Sequence, residues 1–195
     1  MSTKYIIVKI FLTIFFLAPG ICIFSQINHE DSIGYVDYAK MNAGLTKGLK
    51  GKGISDFTVR DKKGNALTRD MLRSKITFVN FWFESCAPCV AEFQALEKFY
   101  NNNKSRESFQ FVSITFESDS IIEKIRKKNN LSYPIYHLPS DSCRKIIGRL
   151  GYPATYILNK DLEMVYVTCG GPTDPKIADK FLNYFVQAEL DKQFK

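Results

Sequence analysis

Histidine and tryptophan are nearly missing from this 195-residue chain, which has two of the first and one of the second. Cysteine is sparse too, with five in all, too few for a disulfide scaffold in a domain of this size. Internal repeats and low-complexity tracts are absent, which removes repeat architectures. Extended disorder is excluded by composition: 45% of residues are hydrophobic and 14% aromatic, enough for an ordinary core. The length fits one domain with a short appendage.

The formal net charge is +7, and +5 without Lys4 and Lys9. The basic residues are spread out, apart from Lys124, Arg126, Lys127 and Lys128. These share a helical stretch with the apolar Ile121, Ile122 and Ile125, so they read as the solvated face of a helix. No nucleic-acid partner is expected.

Long hydrophobic runs are absent with one exception. Lys4 and Lys9 flank the apolar residues 10–18, and a softer stretch reaches Gln26. A basic start, a short apolar centre and the small Ser25 match a secretory signal peptide cut after Ser25. Residues 5–25, 21 in number and interrupted only by Lys9, leave an uncleaved membrane anchor as the alternative. Lipidation of Cys22 is a third reading. Each exports the remainder, to a bacterial periplasm as a soluble or N-terminally anchored protein. The expected organisation is a signal or anchor over 1–25, a linker over 26–52 with a short helix near 36–41, and one domain over 53–195.

Within that domain a short strand, turn and strand occupy 57–67. Residues 76–83 are nearly all apolar, β-branched or aromatic, as in a strand buried on both faces. A helix is predicted over 88–102 with Val90, Phe93, Leu96, Phe99 and Tyr100 as its apolar stripe. A second buried strand covers 109–116. A helix over 120–129 is capped by Ser120, with Glu123 three residues on. A strand over 135–138, a helix over 141–150, strands over 155–158 and 164–168, and a last helix after Thr173 or Asp174, with Pro175 in its first position, complete the chain. Alternating strands and helices followed by a hairpin predict an α/β sandwich around a mixed sheet.

Cys86-Ala87-Pro88-Cys89 falls where the buried strand ends and the helix begins. Unpaired N–H groups and the partial positive charge of a helix N-terminus stabilise a thiolate there. A Cys so placed, two residues from a second thiol, has its pKa lowered and becomes a nucleophile. Cys86 is then expected to attack a disulfide and Cys89 to resolve the mixed disulfide. Pro88 suits the first turn, where its missing N–H costs nothing. Zinc also uses this spacing, but needs two further ligands, and His137, Cys143 and Cys169 do not form a second close pair. A purely structural bridge is the other bland reading, although one closing two residues constrains the unfolded chain little.

The segment Val79-Asn80-Phe81-Trp82-Phe83-Glu84-Ser85-Cys86-Ala87-Pro88-Cys89-Val90-Ala91-Glu92-Phe93 resembles the active site of the TlpA/ResA-like extracytoplasmic thioredoxins, relatives of the AhpC/TSA redoxins. Gly151-Tyr152-Pro153-Ala154-Thr155-Tyr156-Ile157-Leu158 is similar to that family's cis-proline loop and the strand after it. The two motifs stand about 65 residues apart, in the expected order. The resemblance implies a thioredoxin-like three-layer sandwich with added N-terminal strands, performing thiol–disulfide exchange without a cofactor. It implies a cis bond before Pro153 and a substrate-binding set of Trp82, at the family's aromatic position, Pro153 and Tyr152, which offers its backbone to a bound polypeptide. It also implies an acid, Glu92, close enough to the thiols to tune or relay their protons. An acid stabilising the start of the helix is the bland reading of Glu92. Ser85 departs from the family, which commonly has Trp before the first Cys.

Cysteine-containing exported proteins and a membrane or extracytoplasmic electron donor are the expected partners of a monomer. Glu84 has weaker family support than Glu92. Cys143 and Cys169 read as buried small hydrophobes, with a second disulfide between them as the alternative. His137 is given no role. Two rival functions remain on the same fold. A peroxiredoxin-type peroxidase needs Thr where Phe83 stands, and a copper-binding module wants wider Cys spacing with a distal His.

Overall fold

The computed structural model describes residues 42–195. The expected signal or anchor, the cleavage site, Cys22 and the helix near 36–41 lie outside the described residues. Residues 42–49 form helix α1. There follow β1 (Thr58–Arg60), β2 (Ala66–Thr68), a 3-10 turn (Arg69–Leu72), β3 (Ile76–Trp82), α2 (Ala87–Asn103), β4 (Phe109–Thr115) and α3 (Asp119–Asn129). Then come β5 (Ile135–His137), α4 (Ser140–Ile147), β6 (Ala154–Leu158), β7 (Met164–Cys169) and α5 (Pro175–Lys180). A π-helical segment (Phe181–Val186) leads from α5 into α6 (Gln187–Asp191), which ends in a 3-10 turn (Lys192–Phe194).

The seven strands form one mixed sheet in the order β2-β1-β5-β4-β3-β6-β7. β3 lies at its heart, parallel to β4 and antiparallel to β6. All seven β3 residues are buried, because helices cover both faces of the sheet. Successive side chains alternate between two cores. Ile76, Phe78 and Trp82 pack with α2, α3 and the C-terminal helices. Val79 and Phe81 pack with α4 and, through Leu49, with α1. This is the three-layer thioredoxin-like sandwich, and the β1–β2 hairpin adds the N-terminal strands by pairing Arg60 with His137 of β5.

Two expectations change. Residues 42–52 are not a bare linker. Thr46 Oγ1 donates to Val167 O at 3.0 Å and accepts from Val167 N at 3.1 Å. Asn42 Oδ1 accepts from Cys169 N, and Gly51 N donates to Met164 O. The stretch covers the otherwise open edge of β7, which satisfies backbone groups that a free edge strand leaves exposed. Val90 leaves the apolar stripe: it is 44% exposed. It shares the outer strip of α2 with the exposed Gln94 and Asn101, while Phe93, Leu96 and Phe99 face the sheet.

Capping follows sequence with small shifts. Asp174 accepts from Lys176 N and Ile177 N ahead of Pro175. α3 begins one residue early, with Ser118 as N-cap in place of Ser120, and the two hydroxyls lie 2.9 Å apart.

Candidate functional site

Strand β3 delivers the chain to the C-terminal edge of the sheet, and α2 starts there with Cys86 as its N-cap. Cys86 Sγ accepts a 3.3 Å hydrogen bond from Cys89 N. A sulfur thus occupies the place where Ser or Asp oxygens satisfy the free N–H groups of a first turn. Cys86 and Cys89 are joined by a disulfide, with Cα atoms 5.2 Å apart. Cys86 is 6% exposed and Cys89 1%, so the first sulfur is the one nearer solvent. Ser85 and Ala87, on either side of it, are exposed.

The Tyr152–Pro153 bond is cis. Pro153 O accepts from Gly170 N at 2.8 Å, so the loop after β7 is fastened to this proline. Below it, Asn80 Nδ2 donates to Thr155 Oγ1 at 3.0 Å, tying β3 to β6 in the buried layer. Tyr152 is half-buried, its ring edge-on to Phe83 with centroids 5.1 Å apart.

Glu92 is 2% exposed. Its Oε2 has no hydrogen-bond partner among the described residues. Burial alone pushes its carboxyl up to about 8. The carboxyl lies against the loop after β7: a Cβ placed on Gly171 would stand 2.8 Å from Glu92 Oε1, 3.4 Å from Pro153 Cγ and 3.5 Å from Pro88 Cβ. Pro88 and Glu92, four residues apart, share one face of α2. Both prolines and the acid therefore converge on one glycine.

Trp82, expected to meet substrate, does not reach the surface. It is fully buried, with Nε1 donating to Ser113 Oγ at 2.8 Å and its ring edge-on to Phe93 at 5.1 Å. The alternation of β3 turns it toward α2, beneath the cysteines, where it can support the site but not touch a polypeptide. Glu84 points away into an ion pair with Lys124 at 2.8 Å. Cys143 and Cys169 are not joined. Cys143 Sγ donates to Leu138 O at 3.4 Å, and burial pushes this thiol up to about 11. Cys169 is half-buried, and its Sγ accepts from Gly151 N at 3.0 Å, beside the cis-proline loop. His137 lies in β5, opposite Arg60. Among the described residues no group of three or more His, Cys, Asp or Glu is placed to hold a metal. Gly171 carried no sequence signal beyond the turn that Gly170-Gly171 suggests.

A helix-capping cysteine pair joined as a disulfide at the edge of this sandwich defines a thioredoxin-like thiol–disulfide oxidoreductase. The AhpC/TSA family pattern matches residues 51–167, and the chain belongs to that family. It is similar to the thiol-disulfide oxidoreductase ResA of Halalkalibacterium halodurans, 26% identical over 76% of this chain and 84% of the relative. ResA of Bacillus subtilis is also 26% identical, over 76% of this chain and 83% of the relative. The fold is shared with a thiol:disulfide interchange protein of Chlorobium tepidum. That likeness has a TM-score of 0.57 and 20% identity, and covers 72% of this chain and 97% of the other.

Proposed function

We propose that the protein exchanges dithiol for disulfide on cysteines of exported proteins outside the cytoplasm, with Cys86 as nucleophile and Cys89 as resolving thiol. The observation that carries this reading is the Cys86 sulfur seated as the N-cap of α2 and accepting Cys89 N–H, the position where a helix best stabilises negative charge.

Starting from the reduced pair, the Cys86 thiolate attacks one sulfur of a partner disulfide. A Cys86–partner bond forms, the partner's S–S bond breaks, and the departing thiolate takes a proton. Cys89, deprotonated, then attacks Cys86 Sγ. The mixed disulfide breaks, the partner leaves with both sulfurs reduced, and the protein holds the Cys86–Cys89 bond seen here. Two electrons have passed to the partner, and a thiol or dithiol donor outside the cytoplasm restores them. The cysteines carry the electrons themselves, so no cofactor enters. Tyr152 and cis-Pro153 supply the backbone against which the partner strand lies. Glu92 takes and returns the proton of Cys89 or tunes its pKa. Residues 1–25 direct the chain across the membrane, as a signal or an anchor.

The test is reduction of a model protein disulfide with dithiothreitol as donor. Wild type is expected to speed it and Cys86→Ala to fall to the uncatalysed rate; turnover retained by Cys86→Ala would overturn the assignment.

A further inference from the structure

Glycine stands at 171 where three parts of the site meet, and it is the one described glycine whose added Cβ would sit closer than 3.0 Å to another atom. That atom is Glu92 Oε1, at 2.8 Å, with the Pro153 and Pro88 rings at 3.4 and 3.5 Å. An approach under 3.0 Å forces something to move. The prolines are rigid, one in the first turn of α2 and the other in a cis bond. The carboxyl is the movable group, and it is enclosed, with Oε2 already lacking a partner.

We propose that Gly171 is a positioning residue: its bare main chain is the lid that holds the Glu92 carboxyl in a closed apolar slot beneath Pro88 and Pro153, and any side chain there drives that carboxyl out. The proposal rests on Glu92 serving the dithiol, as read above, but its structural claim concerns the acid alone. Two further observations support it. Gly170 N is bonded to Pro153 O, so the lid is fastened to the cis-proline loop. Burial is the whole cause of the raised Glu92 carboxyl, at about 8, with no charged partner contributing. The slot, not an ion pair, therefore keeps the acid neutral.

The groups around Glu92 are few. Its own helix start contributes Cys86 and Cys89, which do not titrate while bonded. The segment before β5 contributes the buried Tyr133, whose hydroxyl is held protonated far above neutrality by burial, with the Glu92 carboxylate adding a smaller push. On α5, Asp179 is already joined to Lys98 of α2 at 3.0 Å. The lid itself, Gly170-Gly171-Pro172-Thr173, carries no charge. None of these replaces the slot as the reason for a neutral acid.

The experiment uses the oxidised protein, so exchange activity plays no part. Infrared difference spectra, wild type minus Glu92→Gln, isolate the protonated-carboxyl band and its pH midpoint. Wild type is expected to show the band at pH 7. Gly171→Ala is expected to lose it, with the midpoint lowered by about two pH units as the acid becomes solvated. Gly171→Ala with Glu92→Asp, whose shorter acid clears the added methyl, is expected to regain a buried protonated acid at pH 7. Circular dichroism of each variant shows that the fold is kept. A band unchanged in Gly171→Ala overturns the proposal, and so does a loss that the shorter acid leaves in place. If the band behaves as expected and the dithiol still reduces no protein disulfide, the lid stands and the functional reading falls.

Discussion

Cys89 donates its backbone N–H to the sulfur of Cys86 at 3.3 Å, while the residue itself is 1% exposed and its sulfur is bonded to the same partner. The two cysteines thus differ in kind. One is a cap at the position where a helix stabilises negative charge, and the other is a buried core residue. The proposed order of attack, Cys86 first and Cys89 second, rests on this difference. Cys89→Ser is expected to accumulate disulfide-linked adducts with partner proteins, because nothing resolves them, and Cys86→Ser to accumulate few. Non-reducing gels of the two variants check this, and equal trapping by both would reverse or dissolve the assignment.

Glu92 makes stability depend on pH, and the sign is opposite to that of a salt-bridged acid. Its carboxyl titrates near 4.5 when unfolded and near 8 when folded. Between these values the folded state holds a proton that the unfolded state has lost. Stability is therefore highest below pH 4.5 as far as this group is concerned, falls as pH rises through the window, and levels off above 8. One unit of difference is worth roughly 1.4 kcal/mol, so the fall across the window amounts to a few kcal/mol. Denaturant melts of the oxidised protein from pH 5 to 8 are expected to show this slope, and Glu92→Gln to flatten it. Parallel slopes in the two proteins would mean that the acid is solvated.

In the reduced protein the same acid lies one helical turn from a thiol, and like charges in a poorly solvated site resist joint ionisation. Alkylation of wild type against pH is expected to follow a coupled, broadened profile. Glu92→Gln is expected to lower a thiol pKa and narrow the profile, leaving only the coupling of the two thiols. Superimposable profiles would leave Glu92 as a structural residue.

Which parts of the site could be read from sequence depends on the range of the forces involved. The unbroken apolar run of β3, the Cys-Ala-Pro-Cys spacing and the Asp174-Pro175 cap are local signals, and each is found within a residue or two of its expected place. The sequence puts Trp82 on β3, but the direction of its side chain depends on which face α2 covers, a long-range fact. Val90 looked like part of a stripe because a helix start has too few turns to fix the phase of its apolar face. Residues 42–49 carry only two large apolar side chains, Leu45 and Leu49, and two glycines, so their docking on β7, made through the polar Asn42 and Thr46, is only weakly marked in the sequence. Gly171 is legible only in three dimensions, from what its missing Cβ would strike.

Trp82 is now expected to act on stability and not on substrate. Its indole N–H satisfies Ser113 Oγ in a fully buried layer, and its ring packs on Phe93. Trp82→Phe removes the donor and leaves a buried hydroxyl short of a partner, at a cost of about 1–3 kcal/mol. Trp82→Ala adds a cavity and is expected to cost about 3–5 kcal/mol. Urea midpoints measure both. A Trp82→Phe protein of unchanged stability whose KM for a protein disulfide rises would return the residue to the binding surface.

The last prediction concerns where the folded unit begins. Thr46 Oγ1 makes two hydrogen bonds to Val167, at 3.0 and 3.1 Å, and Leu49 packs against the core on that side of the sheet. Replacing Thr46 by Val keeps the shape but removes both bonds, leaving the Val167 N–H and C=O without that partner. An unmade buried bond costs about 1–3 kcal/mol, and these groups are partly buried, so the lower part of that range applies. Thr46→Val is expected to be less stable by about 1–2 kcal/mol. A chain starting at residue 53 is expected to lose more than a chain starting at 42, because it also uncovers the β7 edge and its tendency to pair with other chains. Thermal melts and sedimentation of the two truncated proteins make the comparison. Equal stability and equal solubility of the two would restore residues 42–52 to the status of a linker.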